Sequence, residues 1–345
     1  MININNLQIK LAALKIPGAV ADIKNNDFYT DIYINFNPDI TISKIKARKS
    51  DLELFLQAAV NINYDSGYVV LRVQKDNRGS CNTENFYNII QDKKTALDLP
   101  LIIGKNENGA PLVYDLTRFP HLLIGGSTGS GKSVYIHNCI LSHIFRGGDS
   151  SLVLVDVKKV EFSIYEGIPH LATPVVYDCK TALKVFKALC NEMDSRYDKL
   201  KSVNCRNIKE YHDAGHKMNY YTIIIDELAD LLMGDKRLEP YIIRIAQLGR
   251  AAGLHLIIAT QRPDSVVLSG LIRSNIPTRI CFAVQKATDS RIILDRPGGE
   301  TLRGAGDGLL CMIGDRDPVR FQAPFITTES ILDIVNKARR AKVIK

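Results

Sequence analysis

The chain has 345 residues, of which 46% are hydrophobic and 24% charged, and a formal net charge of +8. That length suits one large domain and a smaller one, and the composition excludes disordered and fibrous classes. No apolar run approaches the ~20 residues of a membrane span and Met1–Lys10 lacks a signal-peptide pattern, so the expectation is a cytoplasmic protein with no intrinsic membrane segment.

The first part of the chain reads as a small α+β domain over residues 1–95. Asp31–Phe36 and Tyr68–Val73 alternate apolar and polar residues at period two, the pattern of half-buried strands. Between them Ser50-Asp51-Leu52-Glu53 has capping-box spacing and is expected to open a helix that runs to Val60. Asp76–Ser80 reads as a turn, and the polar stretch from Asp92 to Asp98 as the linker.

Residues 96–345 form the second expected domain. Leu101–Gly104 and Pro111–Asp115 flank an Asn108-Gly109 turn and predict a hairpin. Leu122–Gly125, Leu152–Asp156, Tyr221–Asp226, Leu254–Thr260 and Arg279–Val284 are near-continuous apolar runs separated by helical segments. Strands of a mainly parallel sheet covered on both faces have that texture, so the fold class is α/β. Gly308–Ile313 and Val319–Ala323 read as a closing hairpin. The seven cysteines are odd in number and form no C-x-x-C pair, so they read as small buried hydrophobes in a reducing compartment.

Chemistry concentrates at the ends of these strands. After Leu122–Gly125 comes Gly126-Ser127-Thr128-Gly129-Ser130-Gly131-Lys132-Ser133, followed by an apolar helix. This is a complete phosphate-binding loop in its strand–loop–helix setting. The glycines let backbone N–H groups turn toward phosphate oxygens, Lys132 reaches the terminal phosphates and Ser133 is placed to ligate Mg²⁺. A nucleoside triphosphate is therefore expected here. The apolar strand Tyr221–Ile225 runs into Asp226 and Glu227. The first is expected to hold the Mg²⁺ shell and the second to orient or deprotonate the attacking water, which favours hydrolysis. Gln261 follows the next buried strand. It reads either as a contact to the γ-phosphate or the attacking water, or as a polar strand-ending turn. A triphosphate site with a basic balance favours a polyanionic partner, most simply nucleic acid. The C-terminal Lys337, Arg339, Arg340, Lys342 and Lys345 are read as a solvated helix face in preference to a nucleic-acid contact.

Several ordered motifs resemble the FtsK/SpoIIIE DNA translocases. They include Pro120–Leu123 leading into the loop, Tyr165–Leu171, Arg206-Asn207-Ile208, Asp226–Asp230, Arg250–His255 and Ala259–Pro263. Ile276–Ile280, Asp289–Asp295 and Gly306-Asp307-Gly308 continue the series, so the likeness runs from about Leu99 to Phe325. The resemblance implies a RecA-like motor domain in a homo-hexameric ring that encircles double-stranded DNA and moves it by ATP hydrolysis with Mg²⁺. The N-terminal module looks like the smaller α domain of that family. Family roles transfer to Lys132, Ser133, Asp226, Glu227 and Gln261, and a basic residue from a neighbouring subunit should complete each site. Arg250, Arg279 and Arg291 are candidates for that residue, and Asp264–Arg273 and Arg296–Arg303 for loops facing DNA. Asp156-Val157-Lys158 and Arg296-Pro297-Gly298-Gly299 depart from the family pattern. The expected lack of membrane helices and of a winged-helix module suggests a mobile-element, phage or plasmid member, or one that relies on a separate membrane or targeting partner. A conjugative coupling or secretion ATPase moving single-stranded DNA or protein to a membrane pore is the alternative. A small-molecule kinase or nucleotide-gated binding module fits poorly with Asp226-Glu227 and the positive charge.

Overall fold

The computed structural model describes residues 3–16, 18–25, 29–36, 41–65, 67–75, 81–92, 97–147 and 150–343. Its contacts divide the chain into two compact units, 1–80 with 106–110, and 81–105 with 111–345. The sequence expectation put the division at residue 95. Cys81, Phe86 and Ile90 pack instead against Ile102, which places the stretch after residue 80 with the second unit. The turn expected at Asp76–Ser80 and most of the expected linker lie outside the described residues.

In the first unit α1 (Ile4–Ala13) precedes β1 (Gly18–Asn25), β2 (Tyr29–Phe36), α2 (Ile42–Lys46), α3 (Lys49–Leu56), β3 (Val60–Asp65) and β4 (Tyr68–Gln74). The strands form an antiparallel sheet in the order β1-β2-β4-β3. Alternate residues Ile32, Ile34, Val69, Leu71 and Val73 join Leu7, Leu11 and Leu52 in one core. The expected helix to Val60 is shorter than predicted. Gln57 takes a left-handed φ of 50° and ends α3, and Val60 opens β3. Glu53 does not complete a capping box either: its carboxylate accepts the Val60 N–H at 3.1 Å, so it helps turn the chain into the strand.

The second unit continues with α4 (Tyr87–Gln91), β5 (Pro100–Asn106), β6 (Pro111–Asp115), β7 (His121–Gly125), α5 (Lys132–Arg146), β8 (Ser150–Val155), α6 (Cys179–Ser202) and α7 (Ile208–Asp213). Then come β9 (Tyr220–Ile225), α8 (Leu228–Gly234), α9 (Glu239–Ala252), β10 (Leu254–Thr260), α10 (Gly270–Asn275), β11 (Thr278–Phe282), α11 (Ala287–Leu294), β12 (Asp307–Cys311), β13 (Val319–Gln322) and α12 (Thr328–Val343). Its nine-stranded sheet runs β6-β5-β13-β12-β11-β7-β10-β9-β8. Strands β8, β9, β10, β7 and β11 are mutually parallel, and β12 and β13 extend the sheet antiparallel.

The apolar runs bury both faces, as their composition requires. Leu122 and Ile124 of β7, with Ile224, Ile257 and Ile280, meet α5 and α12 in one core. Leu123, with Ile223, Ile225, Leu256 and Ile258, meets α6, α8 and α9 in the other. A one-residue slip of register would exchange these sets, so the two covers hold the strand alignment. Placed between β10 and β11, the end of β7 lies inside the parallel segment, with a parallel neighbour on each side. Ligands of parallel sheets bind at such carboxyl ends.

Three buried histidines at the opposite region of this unit make the fold acid-sensitive. His121 accepts the Leu256 N–H at Nδ1 (3.0 Å), and His255 donates from Nδ1 to the Pro120 carbonyl (2.9 Å). Burial lowers His121 and His143 from 6.5 to about 3, and His255 to about 4, with neighbouring imidazoles adding to the effect for His121 and His143. In the unfolded chain these rings take up protons below about pH 6.5, whereas the folded chain keeps them neutral. Their stability contribution is thus fully present above pH 6.5 and is lost as pH falls toward the folded values. Melting temperature should drop between pH 7 and pH 5, and drop less in His143→Leu, as differential scanning calorimetry across that range will show.

Candidate nucleotide site

The segment after β7 is inserted between the ends of its two neighbours. Gly126 N–H donates to the Thr260 carbonyl of β10 at 3.3 Å, and Ser127 N–H donates to the Ala283 carbonyl, just past β11, at 2.9 Å. The Ser127 hydroxyl reaches that same carbonyl at 2.7 Å. These bonds force a narrow passage. A Cβ on Gly126 would sit 2.7 Å from Ser130 Oγ and 2.8 Å from Phe282 Cβ. Gly131 has φ 103°, a conformation glycine adopts without strain, and it lies against the Gly306 backbone. α5 begins at Lys132, which points the free N–H groups and the positive end of its dipole at the loop.

Lys132 is only 2% exposed, and its Nζ donates to the Asp226 carbonyl at 3.0 Å with the Asp226 carboxylate 3.7 Å away. Burial pushes the Asp226 carboxyl above its usual value against the pull of Lys132, and Glu161, Asp156 and Glu227 push the same way. Asp226 Oδ1 is buried with no hydrogen-bond partner among the described residues. A buried carboxylate oxygen with an open lone pair suits a hard divalent cation such as Mg²⁺. Among the described residues no cluster of three or more His, Cys, Asp or Glu could hold a metal alone, so phosphate and water oxygens would complete such a shell.

Glu227 is 3% exposed and tightly oriented. Its Oε1 accepts from Thr260 Oγ1 at 2.6 Å and from Ala229 N at 3.3 Å, and its Oε2 accepts from Gln261 N at 2.9 Å. A carboxylate has about four acceptor positions, so these three bonds leave one for a water. The Gln261 side chain meets the loop directly: its Oε1 accepts from Thr128 Oγ1 at 3.0 Å. The loop and the turn after β10 therefore line one cavity of about 360 Å³, and Asp226 and Glu227 are tied to that lining through Lys132 and Gln261.

Sequence reasoning missed Glu161, which lines the same cavity. Asp156 fixes its turn by accepting the Glu161 and Phe162 N–H groups at 2.9 and 3.0 Å. A hydrogen bond from His137 is the main cause holding the Glu161 carboxyl below its usual value, with Ser133 and Lys132 helping. His137 is in turn positioned by Tyr165, 2.9 Å from ring to hydroxyl. No fixed spacing ties Glu161 to the loop motif; only the fold of the β8 exit brings it there.

The arginine candidates separate clearly. Arg279 is buried, donates to the carbonyls of Arg273, Ile276 and Ile293 and pairs with Asp295. It therefore braces β11 and α11 and is not free to reach a neighbouring subunit. Arg250 and Arg291 are exposed. Arg339, expected on a solvated face, instead donates to the carbonyls of Ile164 and Glu166 at 2.8 Å and anchors α12. Lys337 does pair with Asp333 on an exposed face.

The hydroxyl of Thr260 holds Glu227 and also accepts the Arg262 N–H. Thr260→Val removes both bonds inside a closed site, at about 1–3 kcal/mol. The variant should melt several degrees lower while Thr260→Ser melts near wild type; equal melting of Thr260→Val and wild type in calorimetry would exclude this bracing role.

Comparison with known proteins agrees with this geometry. The FtsK/SpoIIIE family model matches residues 87–265. The DNA translocase FtsK of Helicobacter pylori strain J99 is 37% identical over 99% of this chain, and the match covers 42% of that protein. That of Clostridium acetobutylicum is 46% identical over 70% of this chain and 33% of its own length. The chain thus spans less than half the length of these relatives. Among solved structures, the pCW3 conjugation coupling protein TcpA in its monomer form with ATPγS superposes with a TM-score of 0.70 at 24% identity. That match covers 98% of this chain and 99% of TcpA, so the two chains share a fold. No helix among the described residues is long and apolar enough to cross a membrane. By its family match and by its 37% identity to a relative over 99% of its residues, the chain belongs to the FtsK/SpoIIIE family.

Proposed function

We propose that this chain is an ATP-hydrolysing motor that translocates double-stranded DNA, working as a homo-hexameric ring. The observation that carries the reading is that Lys132 of the phosphate-loop cavity is bonded to Asp226, while Glu227 is held by the backbone N–H of Gln261, which lines the same cavity. Family membership supplies the DNA substrate, and the net charge of +8 suits a polyanion bound through its backbone.

In this mechanism the triphosphate lies along the loop, with Lys132 neutralising its terminal phosphates. Ser133 and Asp226 would hold Mg²⁺, which supplies charge neutralisation at the phosphate oxygens when bound. Glu227, fixed by Thr260 and the Gln261 amide, takes a proton from a water as that water attacks the γ-phosphorus. The bond from the γ-phosphorus to the β–γ bridging oxygen breaks, giving ADP and inorganic phosphate. Gln261 bonds to both Thr128 and, through its amide, Glu227, so loss of the γ-phosphate changes the surroundings of the turn that leads to Asp264–Arg273. That turn and Arg296–Arg303 are the segments we assign to DNA contact. With Arg279 engaged internally, Arg250 and Arg291 remain as the arginines a neighbour would offer.

ATP turnover measured without nucleic acid, with duplex and with single strands tests the reading. Duplex should stimulate turnover most, with the effect weakening as salt rises. Lys132→Ala should lose nucleotide binding or hydrolysis. Glu227→Gln should bind ATP and DNA while turnover falls about 100-fold or more. Indifference to duplex across salt concentrations would overturn the proposal, and selective stimulation by single strands would favour a coupling or secretion ATPase instead.

A further inference from the structure

The cavity at the phosphate loop has two chemically different ends. One is the loop with Lys132 and Ser133. The other is walled by Val134, Ala305, Gly306, Ala323, Pro324 and Phe325, whose side chains carry no hydrogen-bonding group. A triphosphate accounts for the first end and leaves the second without an occupant.

Phe325 is unusual within this wall. The residue is 60% exposed, yet its backbone is held on both sides. Its N–H donates to the Cys81 carbonyl at 2.8 Å, and its own carbonyl accepts the Thr83 N–H at 3.4 Å. The residue before it is tied to the phosphate-binding helix: Asn138 Nδ2 of α5 donates to the Pro324 carbonyl at 2.9 Å and to the Val134 carbonyl at 2.9 Å. Thr83 Oγ1 in turn donates to Asn138 Oδ1 at 2.5 Å. On the other side, Gly306 N–H donates to the Ser130 carbonyl at 2.8 Å and Gly306 accepts the Ala323 N–H at 2.7 Å. The ring is therefore presented by a backbone locked to the loop and to the first turns of α5. The carbonyls of Ala305, Ala323 and Pro324 already accept protein donors, so the wall offers an apolar and aromatic surface.

We propose that this end is a nucleobase subsite, with the Phe325 ring as the stacking platform for the base of the nucleotide whose triphosphate lies on the loop. The inference rests on the nucleotide-binding reading above and adds where the base goes and what holds it. A flat heterocycle covers an aromatic face that water otherwise wets, and stacking of this kind is independent of hydrogen bonding at the base edge. The cavity volume of about 360 Å³ lies within the range that encloses small ligands.

Calorimetric titration in the presence of Mg²⁺ separates the two ends, with a non-hydrolysable ATP analogue and inorganic tripolyphosphate as probes. Wild type should bind the analogue more tightly than tripolyphosphate. Phe325→Ala should weaken the analogue about 5- to 100-fold and leave tripolyphosphate within about twofold, while Phe325→Trp keeps the wild-type preference. Unchanged analogue affinity in Phe325→Ala, or parallel loss of both probes, would overturn the subsite. A wild-type protein that binds neither probe would remove the nucleotide-binding reading and the subsite with it, whereas binding of both with an indifferent Phe325→Ala removes the subsite alone.

Discussion

The site depends on the segment after β7 being hydrogen-bonded between β10 and β11. Gly126 to Thr260 and Ser127 to Ala283 are bonds between residues far apart in the chain, and they fix the loop before any ligand arrives. Once that insertion is made, the rest follows from sheet geometry. Strand β9 lies beyond β10, so Asp226 and Glu227 leave the sheet on the same edge as Lys132. The turn after β10 delivers Thr260 and Gln261 to Glu227. Glycine at 126 is a steric condition of this arrangement, since a side chain there would push the loop off Phe282.

The same enclosure explains why the site is poised electrostatically. Lys132, Asp226 and Glu227 are all buried, with Glu161 at the cavity wall. Burial raises Asp226 in spite of Lys132, so the ionised carboxylate is held in unfavourable surroundings, with one oxygen that accepts no hydrogen bond among the described residues. An ion or ligand that satisfied that oxygen would stabilise the fold by mass action. Glu227 is the opposite case. Its lone pairs are mostly used, which fixes its direction. Orientation of this kind is what an attacking water needs.

Much of this was legible in the residue pattern, and the misses have physical causes. Apolar runs located β7, β9 and β10 because strands buried on both faces have no room for polar alternation. The glycines and lysine of the loop were legible because their spacing is a backbone requirement. Strand order was not, since periodicity says that a strand is buried and nothing about its neighbours. Glu161 was invisible for a related reason: a loop without repeating geometry carries it to the cavity. Arg279 was misjudged because its partner Asp295 and its carbonyl acceptors come from α10 and α11, and sequence shows a charge without its partners. The α3 end was missed where Gln57, not a glycine or asparagine, takes the left-handed conformation.

The central claim is that chemistry at Lys132, Asp226 and Glu227 drives movement along duplex DNA. Displacement of a labelled third strand from a DNA triplex measures that movement directly. Wild type with ATP and Mg²⁺ should release the third strand, and a non-hydrolysable analogue should not. Turnover of ATP on the triplex with no release of the third strand would contradict the account.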